Sequence, residues 1–464
     1  MSSLGFQWVL SLLRESGFSA ERVFLPDDVR DAQRRKTGLV SYETRTPLSR
    51  FPVIGISVAY ELELAGLVQA LELAGIPPLR KDRQPSDPKI IIGGPITFSN
   101  PLPASIFADA MLLGEADDVV VPAFGAALAE DRQTWLDTIE SLPGGFVPER
   151  AGTQMPPIAK ASDLSLPARG PILAPEAELS DMFLIEGERG CHRSCSFCVM
   201  RRSTNGGMRL VTPDRILDLI PQEATRVGLV GAAISDHPHL VGLLEQLVNN
   251  GMGVGISSLR ADRVARKPEI ARLLRAGGYK TLTVASDAAS QRLRKEISKG
   301  TLEKHLISCA KQAHEHRYRV LKIYMMVGVP NETEEDIEEL IRFTLELSKI
   351  HPVALGIAPF VPKRNTPLDV APFAGIKTVE KRLKHIQRGL RHRVDIRPTS
   401  AKWAWVEYML AQSGPEGGEA VMDAVHSGGT FSDYKRALSR LVTTQMAPWR
   451  KKTTDNSLPI MLKV

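Results

Sequence analysis

Cysteine is scarce in this chain of 464 residues, and hydrophobic runs long enough to cross a membrane are missing. Only four cysteines occur, which excludes a secreted scaffold held together by disulfides. No stretch approaches the roughly 18 apolar residues that a membrane span requires. Residues 1–17 lack the basic region and the small-residue cleavage site of a signal peptide. We therefore expect a cytoplasmic protein in a reducing compartment, without a membrane span.

Excess charge of either sign is also small. Lys and Arg number 59 against 53 Asp and Glu, a net charge of +6. Such a mild excess does not by itself indicate a nucleic acid or an anionic membrane as partner. Hydrophobic residues make up 43% and charged residues 24%, which excludes wholesale disorder. At roughly 150 residues per domain, the length allows two to three domains.

Short β-branched runs alternate with amphipathic helical patterns in residues 1–140. Strands are predicted at 52–57, 89–92 and 110–113. The alternation predicts a Rossmann-like domain with a parallel sheet covered on both faces. Glycines follow the second and third of these strands, at the edge where such sheets bind ligands. Residues 141–178 are rich in Pro, Gly and Ala and are predicted to form a linker.

Six strand patterns separated by helical patterns occupy residues 179–374. The strands are predicted at 182–186, 227–234, 253–257, 281–285, 320–327 and 354–360. A full β/α barrel has about eight such units, so six predict a partial (β/α)6 barrel with its functional loops at the carboxyl edge. Residues 375–464 open with a basic helix, continue into a polar tail, and are predicted to form a mainly helical C-terminal extension. The expected fold class is therefore α/β.

Three of the four cysteines, Cys191, Cys195 and Cys198, lie within eight residues directly after the first strand of this series. Three thiolates on one short loop can hold three corners of a cubane 4Fe–4S cluster and leave the fourth iron open. A structural zinc site is the alternative, and its fourth ligand would be His192.

Residues around the loop support the metal interpretation. Gly190 lets the backbone turn tightly into the loop. Arg189 and Arg193 add positive charge, which favours thiolates. The fourth cysteine, Cys309, lies in the helical pattern 302–316 and is predicted to be a buried core thiol.

The spacing Cys-x-x-x-Cys-x-x-Cys, with the aromatic Phe197 before the last cysteine, resembles the signature of the radical SAM superfamily. The resemblance implies that S-adenosylmethionine (SAM) chelates the open iron through its amino and carboxylate groups. It also implies that an electron from the cluster cleaves SAM to methionine and a 5′-deoxyadenosyl radical, which abstracts hydrogen from a substrate. The electron would come from an external donor of the flavodoxin or ferredoxin type.

Segments after the second and third strands resemble SAM-binding motifs of the superfamily. Relatives carry a Gly-Gly-Glu motif after the second strand, and its glutamate receives the SAM amino group. The corresponding segment here, Gly-Ala-Ala-Ile-Ser-Asp, lacks that glutamate, and Ser235 or Asp236 is predicted to replace it. Ser257 and Arg260 follow the third strand, where relatives place polar SAM contacts.

Two later segments carry the resemblance further. Ala-Ser-Asp-Ala-Ala-Ser-Gln-Arg resembles Pro-Glu-Ala-Gly-Ser-x-Arg, which implies that Asp287 approaches the SAM ribose and Arg292 its carboxylate. Val-Gly-Val-Pro-Asn-Glu-Thr-Glu resembles a turn whose backbone lies against adenine, which places Val329 there. Asn331 stands where the family has glycine, and Asn tolerates a positive φ. The alternative is a plain strand-to-helix turn capped at Thr333.

The N-terminal region resembles the cobalamin-binding Rossmann domain of one branch of the superfamily, through Gly-Gly-Pro at 93–95 and Leu-Gly-Glu at 113–115. No histidine precedes His192, so the Asp-x-His-x-x-Gly loop that supplies a lower ligand to cobalamin is missing. Cobalamin would have to bind through backbone contacts. Relatives also begin with a strand before a segment like Met-Ser-Ser-Leu-Gly-Phe-Gln. We expect that strand to be absent here, either truly or through a misassigned start codon.

Three functions stay open at this point. The first is a radical SAM enzyme acting on an unidentified substrate. The second is a cobalamin-dependent radical SAM methyltransferase. The third is a non-catalytic iron–sulfur or zinc protein that binds a partner or RNA, since Trp403 and Trp405 follow the basic stretch 377–397. The alternative for that stretch is a solvated helix covering the barrel. Lys322 and Tyr324 share one face of the fifth strand, and either would meet substrate if that face is the inner one.

Overall fold

A computed structural model of the chain describes residues 2–200, 207–257 and 259–441. Within these ranges the strands form three sheets of four strands and one two-stranded hairpin. The strands are β1 Val53–Ser57, β2 Lys89–Gly93, β3 Ala110–Leu112, β4 Gly145–Phe146, β5 Arg169–Gly170, β6 Phe183–Glu186, β7 Glu188–Gly190, β8 Met208–Leu210, β9 Arg226–Val230, β10 Gly253–Ile256, β11 Thr281–Ala285, β12 Val320–Val327, β13 Val353–Pro359 and β14 Asp395–Pro398. The α-helices are Leu4–Glu15, Val29–Arg34, Leu64–Leu73, Val120–Ala129, Arg132–Ser141, Pro148–Ala151, Pro213–Asp218, Leu240–Asn249, Ala261–Arg266, Glu269–Ala276, Gln291–Glu296, Glu303–Glu315, Glu334–Ile350, Ile376–Gly389, Ala401–Gln412, Pro415–His426 and Phe431–Ser439. None of these helices has both the length and the apolar character that crossing a bilayer requires.

The N-terminal sheet has a core on each face. β1, β2 and β3 run parallel, and β4 joins β3 in the antiparallel sense. Successive side chains of a strand point to opposite faces. Ile90 and Ile92 are accordingly buried in one hydrophobic cluster, and Ile91 is buried in another. Helices cover both faces, which confirms the Rossmann-like sheet.

The predicted linker, residues 141–178, takes part in both neighbouring sheets. β4 lies inside it and extends the N-terminal sheet, and β5 pairs with β6 of the next sheet. Between them, Ala159 forms a parallel bridge with Gly114. Strands of two residues have no period that a sequence pattern could reveal, so these pairings were missed. The segment is a strap that binds the two domains together.

Six parallel strands build the partial barrel. β6, β9 and β10 pair side by side, as do β11, β12 and β13. A parallel bridge between Arg260 and Ala285 joins the two groups. Leu229, Val284 and Leu321 illustrate the layer that packs under the surrounding helices. β14 adds a further parallel strand beside β13, which the prediction of a mainly helical region beyond residue 374 did not include.

The C-terminal extension is helical after β14, as predicted, but it packs on the first domain. Val406, Leu410, Val421 and Leu438 are buried in the same cluster as Ile90 of β2. These helices therefore close one face of the N-terminal sheet. The predicted polar tail, residues 442–464, lies outside the described residues, as does Met1, on which the expectation about the start of the chain depends.

Candidate functional site

The three clustered cysteines lie on a loop whose two ends are held together by a pair of strands. β7 precedes the loop and pairs antiparallel with β8, so the chain leaves and returns through a short hairpin. The Ser196 N–H donates to the carbonyl of Ile297 at 3.0 Å, and the Leu368 N–H donates to the Ser196 carbonyl at 3.3 Å. Ile297 and Leu368 follow β11 and β13 respectively. The loop is therefore anchored across the carboxyl edge of the barrel, where β/α folds place their chemistry.

The thiols of this loop are free and only partly shielded. Cys195 is buried, Cys191 and Cys198 are half-buried, and none forms a disulfide. Burial raises the pKa of Cys191 and of Cys198, although the Arg193 N–H, 3.4 Å from the Cys191 sulfur, opposes the shift at Cys191. Thiols held protonated in this way release their protons when a metal binds.

The arrangement differs from that of a site for a single ion. Across the part of the chain that the structure describes, no three Cys, His, Asp or Glu side chains converge as ligands of one metal. A cubane cluster takes each thiolate at a separate corner and does not require such convergence. His192, the candidate fourth zinc ligand, is exposed, and its Nε2 lies 3.7 Å from Oδ2 of Asp236.

The charge of the flanking arginines does not outweigh burial, because the pKa of Cys191 stays above its ordinary value. Arg193 donates to both carboxylate oxygens of Asp236, at 2.8 and 2.7 Å, and Arg263 bonds the same carboxylate. Burial opposes the charge of Asp236, but these hydrogen bonds outweigh it and lower the pKa of Asp236. Arg193 is thus paired with Asp236 beside the loop, and burial raises the pKa of Cys191.

Arg189, two residues before the first cluster cysteine, contacts three carboxylates, and paired bonds join it to two of them from different domains. Its guanidinium donates to Glu186 of β6 at 2.7 and 2.8 Å. It donates also to Asp117 of the N-terminal domain at 2.7 and 3.1 Å. The Trp8 indole N–H donates to the same Asp117 at 2.8 Å. Paired, forked bonds of this kind fix direction as well as distance, so the N-terminal domain positions the start of the cysteine loop.

Glu115 holds the other strand of the hairpin. Its carboxylate accepts from Arg209 of β8 and, at 2.8 Å, from the N–H of Ala161 in the strap. Arg209 in turn donates to the Ala161 carbonyl at 2.8 Å. Gly114 has a φ of +103°, and a Cβ there would lie 2.5 Å from the Ala159 carbonyl oxygen. The edge predicted to bind a ligand is thus covered by the strap and engaged with the hairpin.

The predicted SAM contacts after β9 and β10 all form hydrogen bonds within the protein. The Ser235 hydroxyl accepts from the Arg260 N–H at 3.1 Å. The Ser257 hydroxyl donates to the Gly231 carbonyl at 2.9 Å and accepts from the Gly231 N–H at 3.1 Å. The Arg260 guanidinium donates to Asp262 at 3.0 Å and to a main-chain carbonyl at 2.8 Å. These contacts shape the ends of the two strands, and SAM binding by Ser235, Asp236, Ser257 and Arg260 stays a prediction.

The structure brings Asp287 towards the cysteine loop. Its ion-pair partner Lys299 lies two residues after Ile297, whose carbonyl accepts from the Ser196 N–H of the loop. Asp287 has a φ of +63° and forms an ion pair with Lys299. Asp287 therefore occupies a left-handed backbone position near the anchored loop, and its contact with the SAM ribose stays a prediction.

The two remaining predicted contacts belong to the turn after β12. Arg292 donates to the Asn331 carbonyl at 2.9 Å and binds Asp336, while Val329 is buried in the barrel core. Asn331 has a φ of +62°, which confirms the expected left-handed position. Thr333 caps the helix Glu334–Ile350, also as predicted. Contact of Arg292 and Val329 with SAM stays a prediction.

Glu188 on β7 was missed by the sequence reasoning. It is completely buried, and its Oε1 accepts from the Ala233 N–H at 2.6 Å. Its Oε2 has no hydrogen-bond partner among the residues that the structure describes. Burial, only partly offset by the Ala233 N–H, raises the pKa of Glu188 to about 7. A carboxyl group thus supports the segment after β9, where the motif glutamate is missing, although nothing in the sequence pattern marks it as buried.

Replacing Glu188 by glutamine should stabilise the protein at alkaline pH and leave it unchanged near pH 5. The folded state holds a proton on Glu188 up to a pKa of about 7, against 4.5 for an ordinary glutamate. The wild type therefore loses stability as the pH rises between these values, and the glutamine variant does not. The difference above pH 7 is on the order of 3 kcal/mol at most.

Thermal unfolding of the Glu188→Gln variant and the wild type across this pH range checks the expectation. Glu223, an exposed residue after the helix Pro213–Asp218, supplies the control variant Glu223→Gln, whose melting temperature should follow the wild type at every pH. Parallel curves for Glu188→Gln and wild type would show that this carboxyl is not held neutral.

Two family models match successive parts of the chain. The family described as "Radical SAM proteins, N-terminal" matches residues 5–148, and "Radical SAM superfamily" matches residues 185–344. Together the two matches cover more than half of the chain. An uncharacterized protein of Methanocaldococcus jannaschii is 28% identical over 367 residues, which are 76% of each chain.

Two solved structures are similar to parts of the chain, both with TM-scores below 0.5. OxsB, a cobalamin-dependent S-adenosylmethionine radical enzyme solved with aqua-cobalamin bound, is 13% identical with a TM-score of 0.49, over 85% of this chain and 55% of that one. Streptococcus suis SuiB bound to S-adenosylmethionine is 16% identical with a TM-score of 0.35, over 49% of this chain and 52% of that one. The chain spans about half the length of each of these two structures.

Proposed function

Because the chain belongs to the radical SAM superfamily of enzymes, we propose that it binds a 4Fe–4S cluster through Cys191, Cys195 and Cys198 and cleaves SAM reductively. One observation carries the proposal: three free thiols stand on a single anchored loop at the carboxyl edge of a partial barrel. When bound, the cluster supplies the electron that cleaves SAM to methionine and a 5′-deoxyadenosyl radical. The radical then acts on a substrate that is still to be identified.

The residues of the loop fit such a cluster. Each cysteine offers one thiolate to a separate corner, and no fourth protein ligand is needed for the iron that SAM would occupy. Phe197 packs against the barrel core and fixes the last cysteine of the loop. The Ser196 main chain fixes its middle through both of its hydrogen bonds. The protein's own part is therefore to hold three thiols in place at the mouth of the barrel.

The residues around the loop form the proposed SAM site. Ser257 and Asp287 end neighbouring strands of the barrel and are partly exposed, so both offer polar atoms at the same edge. The backbone of the turn at Val329 is held in one conformation by Arg292 and by the helix cap at Thr333. These three positions support a site for a ligand that carries a ribose, an adenine and an amino-acid group.

Cobalamin finds no comparable fit in the N-terminal domain. The strap covers Gly114, and Glu115 and Asp117 are bound by arginines of the cysteine hairpin. We therefore propose a radical SAM enzyme that works without cobalamin, and derive no step through it. Incubation with hydroxocobalamin followed by gel filtration should leave no cobalamin absorbance with the protein. Retention of one equivalent per chain would favour the methyltransferase instead.

RNA binding by the basic helix receives no support from its contacts. Arg382 donates to Glu332 at 2.8 Å, and Lys381 and His385 pair with acidic residues of the helix Glu334–Ile350. Val379 and Ile386 of the same helix are buried against the barrel. These contacts favour a helix that covers the barrel, and a nucleic acid partner stays a prediction.

The decisive experiment measures SAM cleavage directly. The chain is loaded anaerobically with iron and sulfide, then given dithionite and SAM, and 5′-deoxyadenosine and methionine are quantified by mass spectrometry. We expect equal amounts of both products, and none when dithionite or iron is omitted. A fully loaded cluster that yields no 5′-deoxyadenosine would contradict the proposal. In the cell, a flavodoxin- or ferredoxin-like donor would replace dithionite, and the four free thiols suit a cytoplasmic location.

A further inference from the structure

The fifth strand of the barrel, β12, separates its side chains cleanly between two environments. Leu321, Ile323 and Met325 are at most 3% exposed and pack in the core beneath the helices. Alternate side chains of a strand point to the opposite face, so Lys322 and Tyr324 face the interior of the barrel. Tyr324 is nevertheless 46% exposed. The interior is therefore open to solvent at this point, because a partial barrel is not filled by its own side chains.

Lys322 and Tyr324 form a defined pair in this interior. The Lys322 ammonium lies 4.6 Å from the centroid of the Tyr324 ring. The ring lies against Gly356 of β13, where a Cβ would stand 2.7 Å from Tyr324 Cδ1. No carboxylate of the described residues lies within ion-pair distance of Lys322. The Tyr324 ring and the Lys322 ammonium therefore lie side by side on the inner face of the sheet. The absence of a side chain at Gly356 leaves room for the ring.

The pair lies next to the proposed chemistry. The Tyr324 carbonyl accepts from the N–H groups of Ser286 and Asp287, at 2.8 and 3.1 Å. Asp287 pairs with Lys299, two residues after Ile297, whose carbonyl accepts from the Ser196 N–H of the cysteine loop. Tyr324 therefore supports the turn that borders the cysteine loop, and Lys322 lies one pleat further along the same strand. A molecule held by this pair would lie in the barrel near the loop.

We propose that Lys322 and Tyr324 bind the anionic group of the substrate, a carboxylate or a phosphate, in the barrel interior. This assignment rests on the proposed function for the identity of the ligand as substrate, but anion binding itself does not require SAM cleavage. The Lys322 ammonium donates to the anion in a partly enclosed site, where a charge-assisted hydrogen bond is stronger than in water. The Tyr324 ring provides the apolar surface for the adjoining carbon skeleton.

Binding of a small probe tests the site without knowledge of the substrate. Benzoate combines a carboxylate with an aromatic ring, and benzamide is its neutral counterpart. Saturation-transfer NMR on the anaerobic, cluster-loaded chain should detect benzoate and not benzamide. Inorganic phosphate is then added as a competitor. Displacement of benzoate assigns the site to both anions, whereas its failure restricts the site to carboxylates.

Variants assign the binding to the two residues. Lys322→Met should weaken benzoate binding about tenfold or more, the loss expected when one partner of a charged hydrogen bond is removed. Tyr324→Leu should weaken it less. Lys311, an exposed lysine of the helix Glu303–Glu315, provides the matched control Lys311→Met, which should bind like wild type. Circular dichroism confirms that each variant is folded.

Several results would overturn the assignment. Benzoate binding that is equal in Lys322→Met and wild type, or equal binding of benzamide, would show that the pair is not an anion site. Absence of benzoate binding at millimolar concentration would do the same. Failure of SAM cleavage with intact, Lys322-dependent benzoate binding would instead reject the proposed function and leave the anion site standing.

Discussion

Replacing Cys195 by alanine should abolish the formation of 5′-deoxyadenosine, whereas replacing Cys309 should not. Cys195 is the middle ligand of the proposed cluster and the most buried thiol of the loop. A cluster left with two protein ligands loses a corner that neither solvent nor SAM replaces well. Cys309 is fully buried in the helix Glu303–Glu315, and burial raises the pKa of its thiol. It is therefore a packing residue that cannot substitute for a missing ligand.

Iron and sulfide content, the visible absorbance of the cluster and 5′-deoxyadenosine yield should be measured side by side for both variants. Cys195→Ala should lose all three signals to the level of the cluster-free chain. Cys309→Ala should retain them, with a loss of stability of about 1 kcal/mol from the small cavity. If Cys195→Ala cleaves SAM as fast as wild type, the three-cysteine site is refuted, because the fully buried Cys309 offers no alternative ligand.

The sequence could predict those parts of the fold and site that depend on neighbouring residues. The cysteine spacing, the strand β12 and the cap at Thr333 are local patterns, and each is found where it was expected. The positive φ of Asn331 was also predictable, because tolerance of a positive φ is intrinsic to asparagine. Local patterns carry their information within a few residues, so a single sequence reveals them.

Contacts between segments that lie far apart in the sequence were not predicted from local patterns. The packing of Val406 and Val421 on the N-terminal sheet joins segments more than 300 residues apart. The hydrophobic pattern of neither segment predicts this contact. The role of Arg189 was misjudged for a similar reason. Its charge was seen beside Cys191, but its partner Asp117 lies 72 residues earlier in the chain. Only the folded structure shows that the guanidinium of Arg189 pairs with Asp117.

Replacing Arg189 by alanine should destabilise the protein and prevent it from retaining a cluster. The side chains of Glu186, Asp117 and Glu115, which Arg189 contacts, are 10%, 4% and 5% exposed. Removing one partner of a buried ion pair leaves the others uncompensated, at a cost of about 3–5 kcal/mol. The hairpin also loses its link to the N-terminal domain, so the cysteine loop is no longer aligned. Arg189→Lys should restore only part of the effect, since an ammonium cannot make two forked pairs.

A surface arginine in the strap separates this effect from a general loss of charge. Arg150 pairs with Asp137 at 2.8 Å and Glu140 at 2.6 Å on the surface, so Arg150→Ala should lower the melting temperature much less than Arg189→Ala does. The melting temperature and the iron retained after desalting are measured for each variant.

The triple variant Arg189→Met, Asp117→Asn, Glu186→Gln then distinguishes stability from positioning. Removing the two strongest buried charges together with the arginine should recover most of the melting temperature, because fewer charges are left unpaired. If Arg189 positions the loop, the triple variant still loses iron faster than wild type despite its recovered stability. Iron retention that recovers together with the melting temperature would show instead that Arg189 contributes to the fold alone.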